Sequence, residues 1–212
     1  MSVTKTRPSG LSAMKRTRFK PSAATLKAKP SGRFNVKDFP FESETRFGTS
    51  LKAPVFDGAE RVFDVLAFNE VVASKGIKGS MIELEVRIDG KFLYALRADG
   101  LIVATPTGST AYALSSGGPI IHPSISAMAL VPICPHTFSS RPIVISSDSV
   151  VEIIVKSESD TRAHFDSHSR FDLREGYRVV IRRYAHTIRL LHPVGHDYYN
   201  MLRAKLHWTE FY

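Results

Sequence analysis

The sequence predicts a mainly β protein: an antiparallel β-sandwich-like domain with two short helices. Three observations carry this. Ile82, Leu84, Val86 and Ile88 alternate with Glu83, Glu85, Arg87 and Asp89, the period-two pattern of a strand with one apolar and one charged face. Asp89-Gly90 is a tight-turn dipeptide and residues 92–96 form the returning strand of a hairpin. Further short strand candidates follow at close intervals, at 62–72, 101–104, 142–146, 150–156, 162–166, 178–184 and 187–192, with turns at Ser147-Asp148 and Glu175-Gly176. Helix is scarce. Residues 197–207 place Tyr198, Met201, Leu202 and Leu206 on one stripe with Asp197 suited to cap its start, and a second short helix is expected near Ser109.

Composition narrows the function. The chain has 212 residues, 43% of them hydrophobic, with 13 Gly and 12 Pro, which is ordinary globular usage. No stretch approaches the roughly 18 apolar residues that read as a membrane-spanning helix. A single cysteine, Cys134, removes an intramolecular disulfide framework and fits a reducing compartment, so a cytoplasmic location is expected. The net charge of +9 looks at first like a nucleic-acid signal. It does not belong to the body. Residues 1–33 hold nine Lys or Arg and no acid, while the other 179 balance 20 basic against 20 acidic residues.

Residues 1–33 carry isolated apolar side chains and three prolines, with no period that buries a face, and read as a disordered basic tail. A solvated extension or misread gene start, an organellar transit peptide, and a phosphate-holding arm are the readings open to it. Pro8, Pro21 and Pro30 interrupt the helix that a transit peptide needs, and a neutral body makes nucleic acid an unfavoured partner. Residues 34–60 read as irregular chain or one edge strand, and 61–212 as the β-rich domain.

The most unusual stretch runs from Ala98 to Pro123. A buried-type strand, 101–104, enters Thr105-Pro106-Thr107-Gly108-Ser109-Thr110, then a turn or two of helix, then Gly117-Gly118-Pro119. Gly108 permits close backbone approach or positive φ, Thr107 or Ser109 is placed to cap the helix, and Gly117 is suited to end it. The first helical N–H groups, with the hydroxyls of Thr105, Thr107, Ser109 and Thr110, are expected to face one concavity suited to a ribose or a phosphate. A capped turn without a ligand would leave the same pattern. No GxxxxGK[ST] or GxSxG occurs. His122, His136, His164 and His168 match no metal-ligand spacing.

The same stretch, TPTGSTAYALSSGGPIIHP, strongly resembles the C-terminal domain of NAD kinases. So do Phe68-Asn69-Glu70-Val71-Val72 upstream and, downstream, Pro132–His136, Ser140-Arg141-Pro142, Phe165-Asp166-Ser167, Leu173–Gly176 and Leu202–Trp208. These motifs are collinear and cover roughly residues 50–210. The resemblance implies transfer of the terminal phosphate of ATP, or in some members polyphosphate, to the 2′-hydroxyl of the adenosine ribose of NAD. The product is NADP, and a divalent metal, usually magnesium, is required. It also implies dimers or tetramers, and a nucleotide cleft between an N-terminal α/β domain and the β-rich domain.

Carried over by position, the resemblance assigns NAD binding to Asn69 and Glu70, to Arg97 and Asp99, and to the helix-start segment Thr110, Ala111, Tyr112, Ala113, Leu114 and Ser115. An Asn amide can pair with the N6/N7 edge of adenine, and a carboxylate can accept from ribose hydroxyls. The Asp99 loop can reach a neighbouring subunit's ligand in that family. His168 stands where many relatives have a glutamine, and Ser80 where His or Arg is common. The family's general base, the aspartate of a Gly-Gly-Asp-Gly motif, has no counterpart here, since the chain contains no Gly-Gly-Asp. No catalytic residue or protein metal ligand is assigned. The expectation is a truncated NAD kinase lacking the N-terminal α/β domain, supplying the dinucleotide-binding half and inactive as a kinase alone. A non-catalytic NAD(P)-binding or oligomerisation module is the alternative.

Overall fold

The computed structural model describes residues 43–77, 80–137 and 139–208, so the expected basic tail at 1–33 lies outside the described residues. The strands are β1 (Ser43–Gly48), β2 (Leu51–Lys52), β3 (Val55–Asp57), β4 (Glu60–Phe63), β5 (Leu66–Ala67), β6 (Glu70–Lys75), β7 (Ile82–Ile88), β8 (Lys91–Ala98), β9 (Gly100–Ala104), β10 (Ala127–Ile133), β11 (Ile143–Ser146), β12 (Val151–Val155), β13 (Thr161–Phe165), β14 (Ser169–Leu173), β15 (Arg178–Arg183) and β16 (Ile188–Pro193). The helices are α1 (Tyr112–Ser115) and α2 (Tyr198–Leu206).

Two antiparallel sheets form the expected sandwich. One has the order β11-β10-β9-β6-β13-β14; the other runs β4-β3-β15-β12-β7-β8, with β2 joining β15 to β5. β1 and β16 form a separate pair. The main core takes Val71, Ala73, Leu101, Val103, Leu130 and Phe165 from the first sheet and Leu84, Val86, Ile153, Val179 and Ile181 from the second. The alternate residues of the first sheet, Val72, Ile102, Ala104, Ala129 and Val131, form a second apolar layer with Ala113 of α1 and Ile121. Its central strands are therefore covered on both faces, and β9 is buried at every position. A strand covered twice reads as a continuous apolar run, not an alternation.

The β7–β8 hairpin is present, and Asp89 and Gly90 both have positive φ, 51° and 75°, as a tight two-residue hairpin turn requires. Helix α2 starts as expected: the Asp197 carboxylate accepts from the Tyr199 and Asn200 N–H groups, and Tyr198 and Leu202 face inward. The strand expected over 62–72 is three pieces. β4 pairs in one sheet and β6 in the other, with irregular chain before Leu66 and a bend before Glu70 where the chain changes sheets. Within 43–60, expected as irregular or one edge strand, β1, β2 and β3 form. Their two- to six-residue lengths leave too little periodicity to read.

Candidate functional site

One rim of the six-stranded sheet gathers the N-terminal end of β6, the C-terminal end of β9 and the β13–β14 turn, because Glu70 pairs with Ala104 and Val71 with Phe165. Every backbone polar group of Phe68, Asn69 and Glu70 is engaged there. The Asp166 carboxylate accepts from the N–H groups of all three, at 2.8, 2.7 and 3.1 Å. The Phe68 carbonyl accepts from the Thr105 hydroxyl at 2.8 Å, the Asn69 carbonyl from the Thr105 N–H at 2.9 Å, and the Glu70 carbonyl from the Asp166 N–H at 2.9 Å. Asp166 adopts φ 51°, the left-handed turn conformation that folds its side chain back over its neighbours.

Gly108 packs against this segment. A Cβ there would fall 2.0 Å from the Asn69 carbonyl oxygen, so the glycine serves close approach and not positive φ. The expected hydroxyl-lined concavity needs correction. Thr105 and Ser109 are fully buried, and their hydroxyls bond within the loop. Thr105 Oγ1 also accepts the Gly108 N–H at 3.0 Å, while Ser109 Oγ donates to the Pro106 carbonyl at 2.6 Å and accepts the Ile121 N–H at 2.9 Å. Thr110 donates to the Thr107 carbonyl. Nor does Thr107 or Ser109 cap α1, which follows a single 3-10 turn over Gly108–Thr110. Thr107 already has helical φ and ψ, −65° and −45°, whereas a capping residue needs an extended backbone. Thr105, three residues before Gly108, instead supplies a hydroxyl acceptor at the start of that 3-10 turn.

Pro106, Thr107 and Thr110 line a cavity of about 130 Å³ closed by His192, Tyr198 and Met201. Lys205 Nζ donates to the Thr110 carbonyl at 3.2 Å, tying α2 to the loop. The Tyr112 side chain is exposed and Thr110, Ala111 and Leu114 are half-buried, with Ser115 exposed; the Ala113 side chain belongs to the second core layer. His168 is exposed in the β13–β14 turn, two residues from Asp166.

Glu70 is the electrostatically unusual group. It is 8% exposed, and its Oε2 is buried without a hydrogen-bond partner. Burial, and then the nearby Asp166 charge, push its carboxyl up to about 7 from 4.5.

Arg97 and Asp99 lie elsewhere. β6 and β9 run antiparallel with Ser74 opposite Gly100, so Asp99 stands at the far end of the strands, roughly 17 Å from Glu70 at about 3.3 Å per residue. Asp99 pairs with Lys75 at 2.8 Å and Arg97 with Glu83 at 3.1 Å. Asp166 belongs to the Phe165-Asp166-Ser167 motif, for which the sequence suggests no role. A polar side chain at a strand end carries no periodic signal of what it will bond.

The family profile described as ATP-NAD kinase C-terminal domain matches residues 68–192. The chain belongs to the NAD kinase family. A NAD kinase of Nitrosomonas eutropha is 61% identical over 160 residues, covering 76% of this chain and 54% of that protein. One of Thiobacillus denitrificans is 56% identical over 160 residues, covering 76% of this chain and 55% of that protein. The chain thus spans about half the length of these NAD kinases. Among solved structures, a yeast NADH kinase complexed with NADH superposes with a TM-score of 0.76 at 27% identity, over 80% of this chain and 50% of that one. An NAD kinase of Archaeoglobus fulgidus in complex with ATP gives a TM-score of 0.61 at 28% identity, over 71% and 56%. The β-sandwich is therefore the NAD kinase C-terminal fold, and no helix among the described residues is long and apolar enough to cross a membrane.

Proposed function

We propose that this chain is the dinucleotide-binding half of an NAD kinase, a phosphotransferase that makes NADP by phosphorylating the adenosine-ribose 2′-hydroxyl of NAD with ATP. The observation that carries the reading is the rim itself. Asn69 and Glu70 are locked by their backbones beside the 105–110 loop, so an amide and a carboxyl are held where a nucleoside could meet both. Asn69 offers a paired donor and acceptor for an adenine edge; Glu70 offers acceptors for ribose hydroxyls. Thr110, Ala111, Tyr112, Leu114 and Ser115 would border the same ligand, with Ala113 supporting them from the core and His168 reaching in from the hairpin turn.

Arg97 and Asp99, at the far end of the strands, would serve a ligand of a neighbouring copy in a dimer or tetramer. Among the described residues no group of three or more His, Cys, Asp or Glu side chains could form a metal cage. Magnesium, in this reading, arrives with ATP as part of the substrate. The family's work would place the chain in the cytoplasm.

The 212-residue sequence contains no Gly-Gly-Asp, the segment to which the resemblance gives the general base. We expect the purified chain to bind NAD and NADP in calorimetric titrations while forming NADP at a negligible rate in a coupled assay. Absence of any dinucleotide binding would refute the binding assignment, and ordinary turnover would refute the division of labour.

A further inference from the structure

We propose that Asp166 is a positioning residue for the dinucleotide site: its carboxylate, with Thr105, sets the orientation in which Asn69 and Glu70 meet the ligand. The inference rests on the dinucleotide-binding reading above and names the device behind it. Three successive N–H groups, those of Phe68, Asn69 and Glu70, converge on one carboxylate at 2.8, 2.7 and 3.1 Å. Such a run of donors forms a concavity that attracts an anion. Here the anion belongs to the protein, and it arrives from another hairpin nearly a hundred residues along the chain. The three carbonyls of the segment are held by Thr105 and by the Asp166 N–H, so two residues account for all six backbone groups.

The consequence is positional. With no free backbone donor or acceptor, Phe68–Glu70 cannot rotate a peptide plane without breaking a charge-assisted bond, and Gly108 blocks retreat on the other side. Only the side chains of Asn69 and Glu70 are left to vary. The fixed turn keeps them pointed while the site is empty, which spares a ligand the ordering cost of a loop. Asp166 itself is held by its own N–H bond to Glu70 and by the β13–β14 pairing, so the clamp is built into the sheet.

The test uses the full 212-residue chain with NAD and NADP as probes. If the unaltered chain binds neither, the functional reading fails before this one is reached. Given binding, Asp166→Asn, which removes the charge and puts an NH2 in place of one of the two accepting oxygens, should weaken NAD affinity at least tenfold. Asp166→Glu should recover part of the loss, because it keeps the carboxylate on a longer arm. The side-chain amide signals of Asn69 should form a single sharp pair in the unaltered chain and should broaden or multiply in Asp166→Asn. Folded variants with unchanged affinity and unchanged Asn69 signals would overturn the proposal. Where the variants do not fold, amide exchange in the unaltered chain decides. Slow exchange at Phe68, Asn69 and Glu70 without ligand is expected, and fast exchange at all three would overturn the proposal.

Discussion

Replacing Glu70 with glutamine should stabilise the protein at alkaline pH and leave it unchanged in acid. In the unfolded chain this carboxyl loses its proton near 4.5, but in the fold it keeps it to about 7. Between those values the folded state holds a proton that the unfolded state has released, so stability falls as pH rises through that window and levels off above it. The difference corresponds to a ceiling of about 3 kcal/mol at about 1.4 kcal/mol per pH unit. Relaxation at the rim of the sheet reduces this, and about 1–2 kcal/mol is expected. A neutral amide escapes the penalty. For a domain of this size that gain raises the melting temperature by roughly 2–8 °C. Scanning calorimetry of both proteins from pH 4 to 8.5 should show melting curves that coincide at the acid end and separate through neutrality. A constant gap at all pH values, or a less stable variant at pH 8, would refute the assignment of the strain to a buried, partner-poor carboxyl. The same variant should bind NAD more weakly, since the acceptor is halved.

Other outcomes follow from the packing. Gly108→Ala forces a methyl against the Asn69 carbonyl and should destabilise by about 2 kcal/mol or more, with loss of NAD binding, read by denaturant titration and calorimetry. Asp197→Ala removes two N-terminal acceptor contacts from α2 and should cost about 1 kcal/mol in denaturant titrations, with little effect on the Phe68–Glu70 amides in exchange experiments.

Much of the fold was legible because strands with one wet face advertise themselves. β7, β12 and β13 alternate cleanly, and the Asp89-Gly90 and Asp197 signals sit at the turn and helix start that they mark. β10 is illegible for the opposite reason. Its residues are buried on both faces, and Pro132, which pairs with Leu101, lies inside the run; proline normally argues against an interior strand. β14 gives no periodic signal because Ser169, Arg170 and Asp172 make it polar. At the candidate site, Asn69 and Glu70 stand out in the sequence only through the motif they share with NAD kinases. The roles of Thr105 and Ser109 are not legible, since a hydroxyl that seals a turn and one that meets a ligand look alike in sequence. Motif order alone does not separate Asp99 from Asn69; antiparallel pairing of β6 and β9 carries it to the other end of the strands.

The double covering of β9 has a consequence for how such a domain diversifies. With no side chain of Leu101–Ala104 reaching solvent on either face, substitutions there answer only to volume and shape, and none can retune affinity by touching a solute. In the proposed reading, chemical novelty enters beside Asn69 and Glu70, through the capped turn after Ala104 and the hairpin tip bearing His168. Those two short loops could be exchanged between homologues as cassettes while the slab beneath them stays the same.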